Sequence, residues 1–301
     1  MAQVTVVLPT HRRPAALARA LDGLVQQQGA PDFEVLVVDN DPAPHAPVVL
    51  PTGLTGRVVH EPIPGAAAAR NRGIREAAAP VLALLDDDVV PEPGWLAALA
   101  APVLAGHADL TGGRVVLDPQ VPRPRWLAPG IEGYLTSLDL GPEERPLTDE
   151  ETLLTASLLT RTELLREVGG FDPRLGPRGR TQLVGDDVQV VRDLRRAGAR
   201  TMWVPQAEVV HELPASRLRP SWLLRRAYLQ GRSDWLLDAD RLGQRRAGGA
   251  RIALDWLAGE AERRRREGLR SPAVAFHAAC DIARTAGALV QAGALARRRA
   301  A

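Results

Sequence analysis

The sequence predicts an α/β domain, a mostly parallel twisted sheet with helices on both faces, followed by a C-terminal helical appendage. Three observations carry this. Short β-branched runs alternate with helical periodicity over the first hundred residues. The polar clusters fall directly after strand runs, where open parallel sheets bind their ligands. From Pro220 onward the periodicity is helical throughout.

Val4 to Leu8 is an apolar run ended by Pro9, with both faces fit for burial. Pro14 opens a helix at its first position, and Leu17, Leu21, Leu24 and Val25 follow at helical spacing before Gly29 and Pro31 stop it. Phe33 to Val38 is a second strand, ending at Asp39-Asn40-Asp41. A Pro-rich loop leads to a third strand over Arg57 to His60. Gly65 to Ala79 is an Ala-rich helix softened at Gly73. Val81 to Leu85 is a fourth strand and runs into Asp86-Asp87-Asp88. Pro91-Glu92-Pro93 is expected to open a helix carrying Trp95, Leu96, Leu99 and Val103.

Beyond residue 110 the pattern changes. Leu110 to Leu117 reads as a strand with a bulge at Gly112-Gly113. Residues 118–150 form a Pro-rich irregular stretch holding Trp126 and Tyr134, and ordered loops of that length are usually functional. Thr162 to Val168 is a helix ended by Gly169-Gly170. Gly185-Asp186-Asp187 precedes another, with Val188, Val191 and Leu194 on its turns. Two short strands follow, Thr201 to Val204 and Ala207 to His211. The C-terminal helices show one stripe of Ile252, Trp256 and Gly259, and a second of Phe276, Cys280, Ala283, Gly287 and Val290. The division expected is a domain over 1–216 and an extension over 217–301.

Composition narrows the chemistry. All 38 basic residues are arginine, so Schiff-base and P-loop lysine chemistry are excluded. A GC-rich coding bias explains the missing lysine more simply than any selected role. Cys280 is the one cysteine, which rules out an intrachain disulfide. Residues 217–301 carry 18 Arg against 8 acidic residues, a net of +10, while residues 1–216 carry 20 against 28, a net of −8. The basic extension reads first as a solvated helical face and second as a surface for anionic lipid, with Arg263 to Arg266 and Arg297 to Arg299 as its densest runs. No signal-peptide pattern opens the chain, and no uninterrupted apolar run reaches about 18 residues. The expected location is the cytoplasm, the second reading adding the inner face of the membrane.

Asp86 and Asp88 share one face of an extended chain. Two adjacent carboxylates repel unless a cation lies between them, and oxygen donors suit Mn²⁺ or Mg²⁺. A helix-capping turn would also favour aspartates. Asp39 at the same sheet edge, the pair Asp186-Asp187 at a helix start and His211 at a strand end favour the metal reading. Capping suits Asp186-Asp187 as well, since helix N-termini stabilise negative charge.

The chain resembles the family-2 glycosyltransferases of GT-A type nucleotide-diphospho-sugar fold. The resemblance covers residues 3 to about 235 and rests on VTVVLPTHRRP, FEVLVVDND, GAAAARNRGI, LALLDDDVVPEPGWL, REVGGFDPRLG, GDDVQVVRDLRRAG and MWVPQAEVVH, in that order. It implies a nucleotide-binding half over 1–110 and an acceptor-binding half over 111–216. It implies donor contacts at Pro9, Thr10, Arg12, Asp39, Arg70, Asn71, Asp86, Asp87 and Ser157. Asp88, Asp86 and His211 would be ligands to Mn²⁺ or Mg²⁺, and Asp187, with Asp186 beside it, the general base. Relatives often carry Gly-Ala-Asn where this chain has Thr155-Ala156-Ser157, and glutamate where Asp186 stands. The activity implied is inverting transfer from a UDP-, GDP- or dTDP-linked sugar to a glycan, lipid-linked or small-molecule acceptor, with no nucleic acid as partner. Trp126 and Tyr134 are the acceptor candidates, and Trp126 serves equally well as an anchor of its loop. The competing class is a binding module that kept the fold and lost catalysis. A dinucleotide-dependent oxidoreductase would need G-x-G-x-x-G after the first strand, where Pro9-Thr10-His11 stands.

Overall fold

The computed structural model describes residues 2–43, 48–119, 123–127, 130–178, 181–242 and 272–300. In chain order the elements are β1 (Val4–Thr10), α1 (Pro14–Val25), β2 (Phe33–Asp39), β3 (Gly56–His60), α2 (Ala66–Glu76), β4 (Val81–Leu84), β5 (Val89–Pro91), α3 (Trp95–Leu104), β6 (Leu110–Pro119), β7 (Arg145–Pro146), β8 (Leu158–Arg161), α4 (Thr162–Glu167), β9 (Pro177–Arg178), β10 (Thr181–Gln182), α5 (Asp186–Arg196), β11 (Thr201–Leu213), α6 (Pro220–Leu242) and α7 (Pro272–Ala300).

The sheet runs β3-β2-β1-β4-β8-β6-β11-β5, with β7 beside β11. Its parallel character belongs to the first four strands. β8 pairs antiparallel with both β4 and β6, and β11 pairs antiparallel with β5 and β7. Alternation along β1 feeds two cores. Val4, Val6 and Leu8 pack with Leu17 and Leu21 of α1 and with Trp95 and Leu99 of α3. Val7 turns the other way, toward Ile74 of α2, Leu165 of α4 and Val190 and Leu194 of α5. Each fully buried leucine in these layers contributes about 1.5–3 kcal/mol over exposure.

The chain clusters into two compact units. One comprises 1–118, 136–181 and 186–212; the other comprises 119–135, 182–185 and 213–301. In the second, α7 packs on α6 through a face of small and polar residues. Cys280 and Ser233 are fully buried, Arg284 reaches Asp234 at 2.6 Å, and Arg232 donates to Gln291 at 2.9 and 3.0 Å.

Several local expectations are corrected. Pro91 closes a short strand, Val89–Pro91, to which β11 offers an antiparallel partner, and the helix expected to open at Pro91-Glu92-Pro93 begins at Trp95. The two short strands are one: β11 runs through Pro205, which sits between the stretch paired with β7 and the stretch paired with β5. α2 continues through Gly73, where a Cβ would stand 2.3 Å from Val7 Cγ1, so the glycine serves close helix–sheet approach. Gly112 and Gly113 lie in an uninterrupted β6; a Cβ on Gly113 would meet the Ala207 carbonyl oxygen at 1.8 Å. On α7, Val290 is half exposed rather than part of the packed stripe. Ile252, Trp256, Gly259 and Arg263 to Arg266 lie outside the described residues, as do the side chains of Arg297 to Arg299. With Asp281 and Arg284 tolerated inside it, Ala273–Ala294 is long and apolar enough to cross a membrane by length and composition alone.

Candidate active site

The parallel register sets the site. Thr10 stands level with Asp39 across β1 and β2, and Asp39 with His60 across β2 and β3. Leu85 donates its amide to the Val7 carbonyl, so Asp86, Asp87 and Asp88 leave β4 at the same sheet edge.

Asn40 organises the loop beyond β2. Its buried amide donates to the carbonyls of Glu61 and Ile63, both at 2.8 Å, and accepts from the Gly65 amide at 2.8 Å. One oxygen of Asp39 accepts from the Asp41 amide at 3.1 Å. Arg12 takes a left-handed backbone, φ 55°, and its Nε reaches Asp41 at 2.8 Å. That turn sends the next residue the other way. Arg13 Nη1 donates to Asp88 Oδ2 at 2.8 Å and to Asp87 Oδ1 at 3.1 Å. Asp87 also accepts from the Thr10 hydroxyl at 2.8 Å. Burial pushes the Asp87 carboxyl up to about 6 against the pull of Arg13, and repulsion from Asp88 adds to the rise.

Arg70, on the buried side of α2, joins the two acidic clusters. Its Nη2 donates to Asp86 Oδ1 at 2.7 Å and its Nη1 to Asp186 Oδ2 at 2.5 Å, and the guanidinium lies 5.5 Å over the Phe171 ring. Burial alone would lower this arginine; Asp86 and Asp186 overcome it and keep it charged above its usual range. Its Nε has no hydrogen-bond partner. Asp186 begins α5, and Gly176, in the left-handed region at φ 77°, lets the loop pass beside its carboxylate. Asp187, half-buried next to it, accepts from the Val188 amide at 2.9 Å.

His211 is 1% exposed on β11, with Nε2 3.6 Å from Asp88 Oδ2. Backbone pairing fixes this approach: the Glu212 amide donates to the Asp88 carbonyl at 3.0 Å. Among the described residues no group of three or more His, Cys, Asp or Glu could hold a metal unaided. Asp88 and His211 offer one oxygen and one nitrogen on adjoining backbones, a set that suits a divalent ion completed by phosphate and water.

The structure brings the predicted residues together in two contact groups, Thr10, Asp87, Asp88 and His211 linked through Arg13, and Asp86 and Asp186 linked through Arg70, which adjoin at the Asp86-Asp87 peptide. Two predicted donor residues are committed elsewhere. Asn71 closes two bonds with the Phe171 main chain, both at 2.8 Å, and so braces the segment before α5. Ser157 is fully buried, accepts from Trp95 Nε1 at 2.9 Å and donates to the Ala207 carbonyl at 3.4 Å, which makes it a packing residue here. Trp126 and Tyr134 belong to the second unit, where Trp126 packs on Phe276 with ring centroids 4.8 Å apart. Burial raises the Tyr134 hydroxyl against the opposing charge of Arg284. Sequence reasoning missed Arg13 and Asp41; the acidic run facing two consecutive arginines after β1 was the available signal.

The profile described as Glycosyl transferase family 2 matches residues 5–160. The chain is 32% identical over 238 residues to a pre-mycofactocin glycosyltransferase of Mycobacterium tuberculosis, covering 76% of this chain and 46% of that protein. The chain thus spans about half the length of that relative. It is 25% identical over 243 residues to the glucosyl-dolichyl phosphate glucuronosyltransferase of Haloferax volcanii, covering 78% of this chain and 77% of the relative. Its fold matches the solved structure of GalNAc-T7 with UDP, GalNAc and Mn²⁺ at a TM-score of 0.50 and 17% identity, over 76% of this chain and 47% of that one. With the motifs, the mixed sheet and the acidic edge in agreement with these likenesses, the chain belongs to glycosyl transferase family 2 and has a GT-A type fold.

Proposed function

We propose that this chain moves a sugar from a nucleotide-diphosphate donor to an acceptor hydroxyl with inversion, Asp187 acting as general base. The observation that carries the reading is the Arg70 junction. Asp86 and Asp186 lie 100 residues apart in sequence and meet on one guanidinium. The acidic run after β4 and the acidic pair at α5 therefore belong to one site.

Asp39, with one oxygen spent on the Asp41 amide, offers the other to a ribose hydroxyl or a base. Pro9, Thr10 and Arg12 line the same edge. Asp88 and His211 would hold Mn²⁺ or Mg²⁺, with Asp86 close by, and the ion when bound supplies charge neutralisation at the leaving diphosphate. Asp186 is held by Arg70, which it shares with Asp86, and the base role is assigned to its neighbour Asp187. Asp187 takes the proton of the acceptor hydroxyl as that oxygen bonds to the anomeric carbon. The bond from this carbon to the diphosphate oxygen breaks on the opposite face, and the nucleoside diphosphate leaves with the electron pair. General-base assistance of this kind is typically worth about 10²–10⁴ in rate. The names of the two relatives, one acting in pre-mycofactocin glycosylation and one on glucosyl-dolichyl phosphate, keep glycan, lipid-linked and small-molecule acceptors all in view.

Calorimetry with UDP, GDP and dTDP, with and without Mn²⁺, tests the donor site on wild type and Asp88→Ala. Metal-dependent binding of one nucleotide, lost in the variant, is expected. Asp187→Asn should keep that binding and lose transfer. Full transfer by Asp187→Asn would remove it as the base, and nucleotide binding by a wild type that transfers nothing would mark a degenerate module.

A second reading concerns the extension. Ile282, Leu289 and Val290 are 62%, 36% and 49% exposed along α7, in a segment of net positive charge. These support peripheral contact with an anionic membrane. Co-sedimentation with phosphatidylglycerol vesicles, and none with phosphatidylcholine, is expected; equal behaviour toward both would return the extension to a solvated face.

A further inference from the structure

Arg13 stands where its chemistry is least expected. It is the residue before α1, its side chain forms no capping bond, and the first turn of α1 contains no acidic residue. A cation at a helix N-terminus opposes the helix dipole. The turn that aims it is also unfavourable, since Arg12 adopts a left-handed backbone that L-residues avoid. What holds this arrangement is ionic. Asp41 takes Arg12, while Asp87 and Asp88 share a single nitrogen of Arg13. Asp88 Oδ2, the oxygen nearest His211, is the same oxygen that Arg13 contacts. The Arg13 side chain is 46% exposed, so it has room to swing without unpacking a core.

We propose that Arg13 is a resident cation of the donor site. It neutralises Asp87 and Asp88 while no divalent ion is present, yields Asp88 when an ion arrives, and then donates to the diphosphate of the incoming nucleotide. This rests on the donor-site reading above and adds a positioning residue that the acidic motif does not contain. One guanidinium thereby couples two binding events. It competes with the ion for Asp88 and attracts the diphosphate that the ion also attracts. The two effects of removing it therefore have opposite sign, and a merely structural arginine would not produce that split.

The test uses the full chain as wild type, Asp88→Ala, Arg13→Gln and Arg57→Gln. Arg57 pairs with Glu76 and serves as a charge-matched control away from the site. Arg13→Gln keeps the backbone carbonyl that accepts from the Leu17 amide, so α1 retains its start. Mn²⁺ binding without nucleotide is followed by loss of the free-ion paramagnetic resonance signal. Affinity should rise about fivefold in Arg13→Gln, the scale of losing one partly exposed ion pair, and stay level in Arg57→Gln. At saturating Mn²⁺, whichever of UDP, GDP or dTDP the wild type binds should bind Arg13→Gln about tenfold more weakly, the scale of one charge-assisted hydrogen bond. An Mn²⁺ site that depends on Asp88 but is unchanged or weakened by Arg13→Gln would overturn the proposal and leave the donor reading standing. Tighter Mn²⁺ with undiminished nucleotide affinity would overturn the diphosphate role. Mn²⁺ binding that is undetectable without nucleotide would overturn the competition for Asp88, and Mn²⁺ binding indifferent to Asp88→Ala would remove the metal reading itself, and the proposal with it.

Discussion

Arg70→Met is the most informative single change, because the junction it breaks centres on a buried guanidinium and the buried Asp186 carboxylate. The side chains of Arg70, Asp86 and Asp186 are 7%, 24% and 9% exposed. Removing one partner of a buried pair costs about 3–5 kcal/mol, since the remaining charge keeps its desolvation penalty. The cation–π contact over Phe171 adds about 0.5–1 kcal/mol. Methionine also relieves the unpartnered buried Nε, which returns about 1 kcal/mol. The net expectation is a loss of about 3 kcal/mol. With a urea slope of about 3 kcal/mol/M, the midpoint falls by about 1 M. Trp95 and Trp203 are fully buried in the sheet unit, so tryptophan fluorescence reports its unfolding. Adding Asp186→Asn to Arg70→Met removes one stranded charge and should restore at least half of the loss, as expected for residues in one network. A midpoint within about 0.3 M of wild type, beyond the error of such extrapolations, would refute the reasoning. A double variant no better than the single one would refute the assignment of the penalty to Asp186.

Ser157→Ala should cost about 1–3 kcal/mol by stranding Trp95 Nε1 and leave nucleotide affinity unchanged; calorimetry and denaturation together separate packing from sugar contact. Asp109→Asn tests a different ionic site. Hydrogen bonds from the Arg200 side chain and amide, with one from Arg161, hold the Asp109 carboxyl well below the usual carboxylate range. A carboxyl lowered on folding stabilises the protein at neutral pH, and that contribution fades as pH falls below the unfolded value of about 3.9. The stability gap between wild type and Asp109→Asn should therefore be level from pH 7 to 5 and shrink below about 4. A gap that widens on acidification would reverse the assignment.

Much of the parallel half was legible. Val4 to Leu8, Phe33 to Val38 and Val81 to Leu85 are short, largely apolar and bounded by breakers, and each polar cluster that follows them is a single local word. The antiparallel half was harder to read. β8 and β11 pair with strands distant in sequence, so nothing local distinguishes Pro205 as tolerated or Val89–Pro91 as a strand. The acidic positions were legible as residues but not as a network. That Asp86 looks toward Arg70 while Asp87 and Asp88 look toward Arg13 depends on a left-handed turn at Arg12 that no composition rule announces. Ser157 shows the converse limit: a polar residue at a motif position was committed to a tryptophan 62 residues away.

The pairing of Asp88 with β11 reaches beyond the present side chains. Because the Glu212 amide pairs with the Asp88 carbonyl, the approach of positions 88 and 211 is set by the main chain. On the proposed metal reading, a softer or harder donor at position 211 would retune ion preference along the order set by ligand chemistry while the backbone pairing keeps its register.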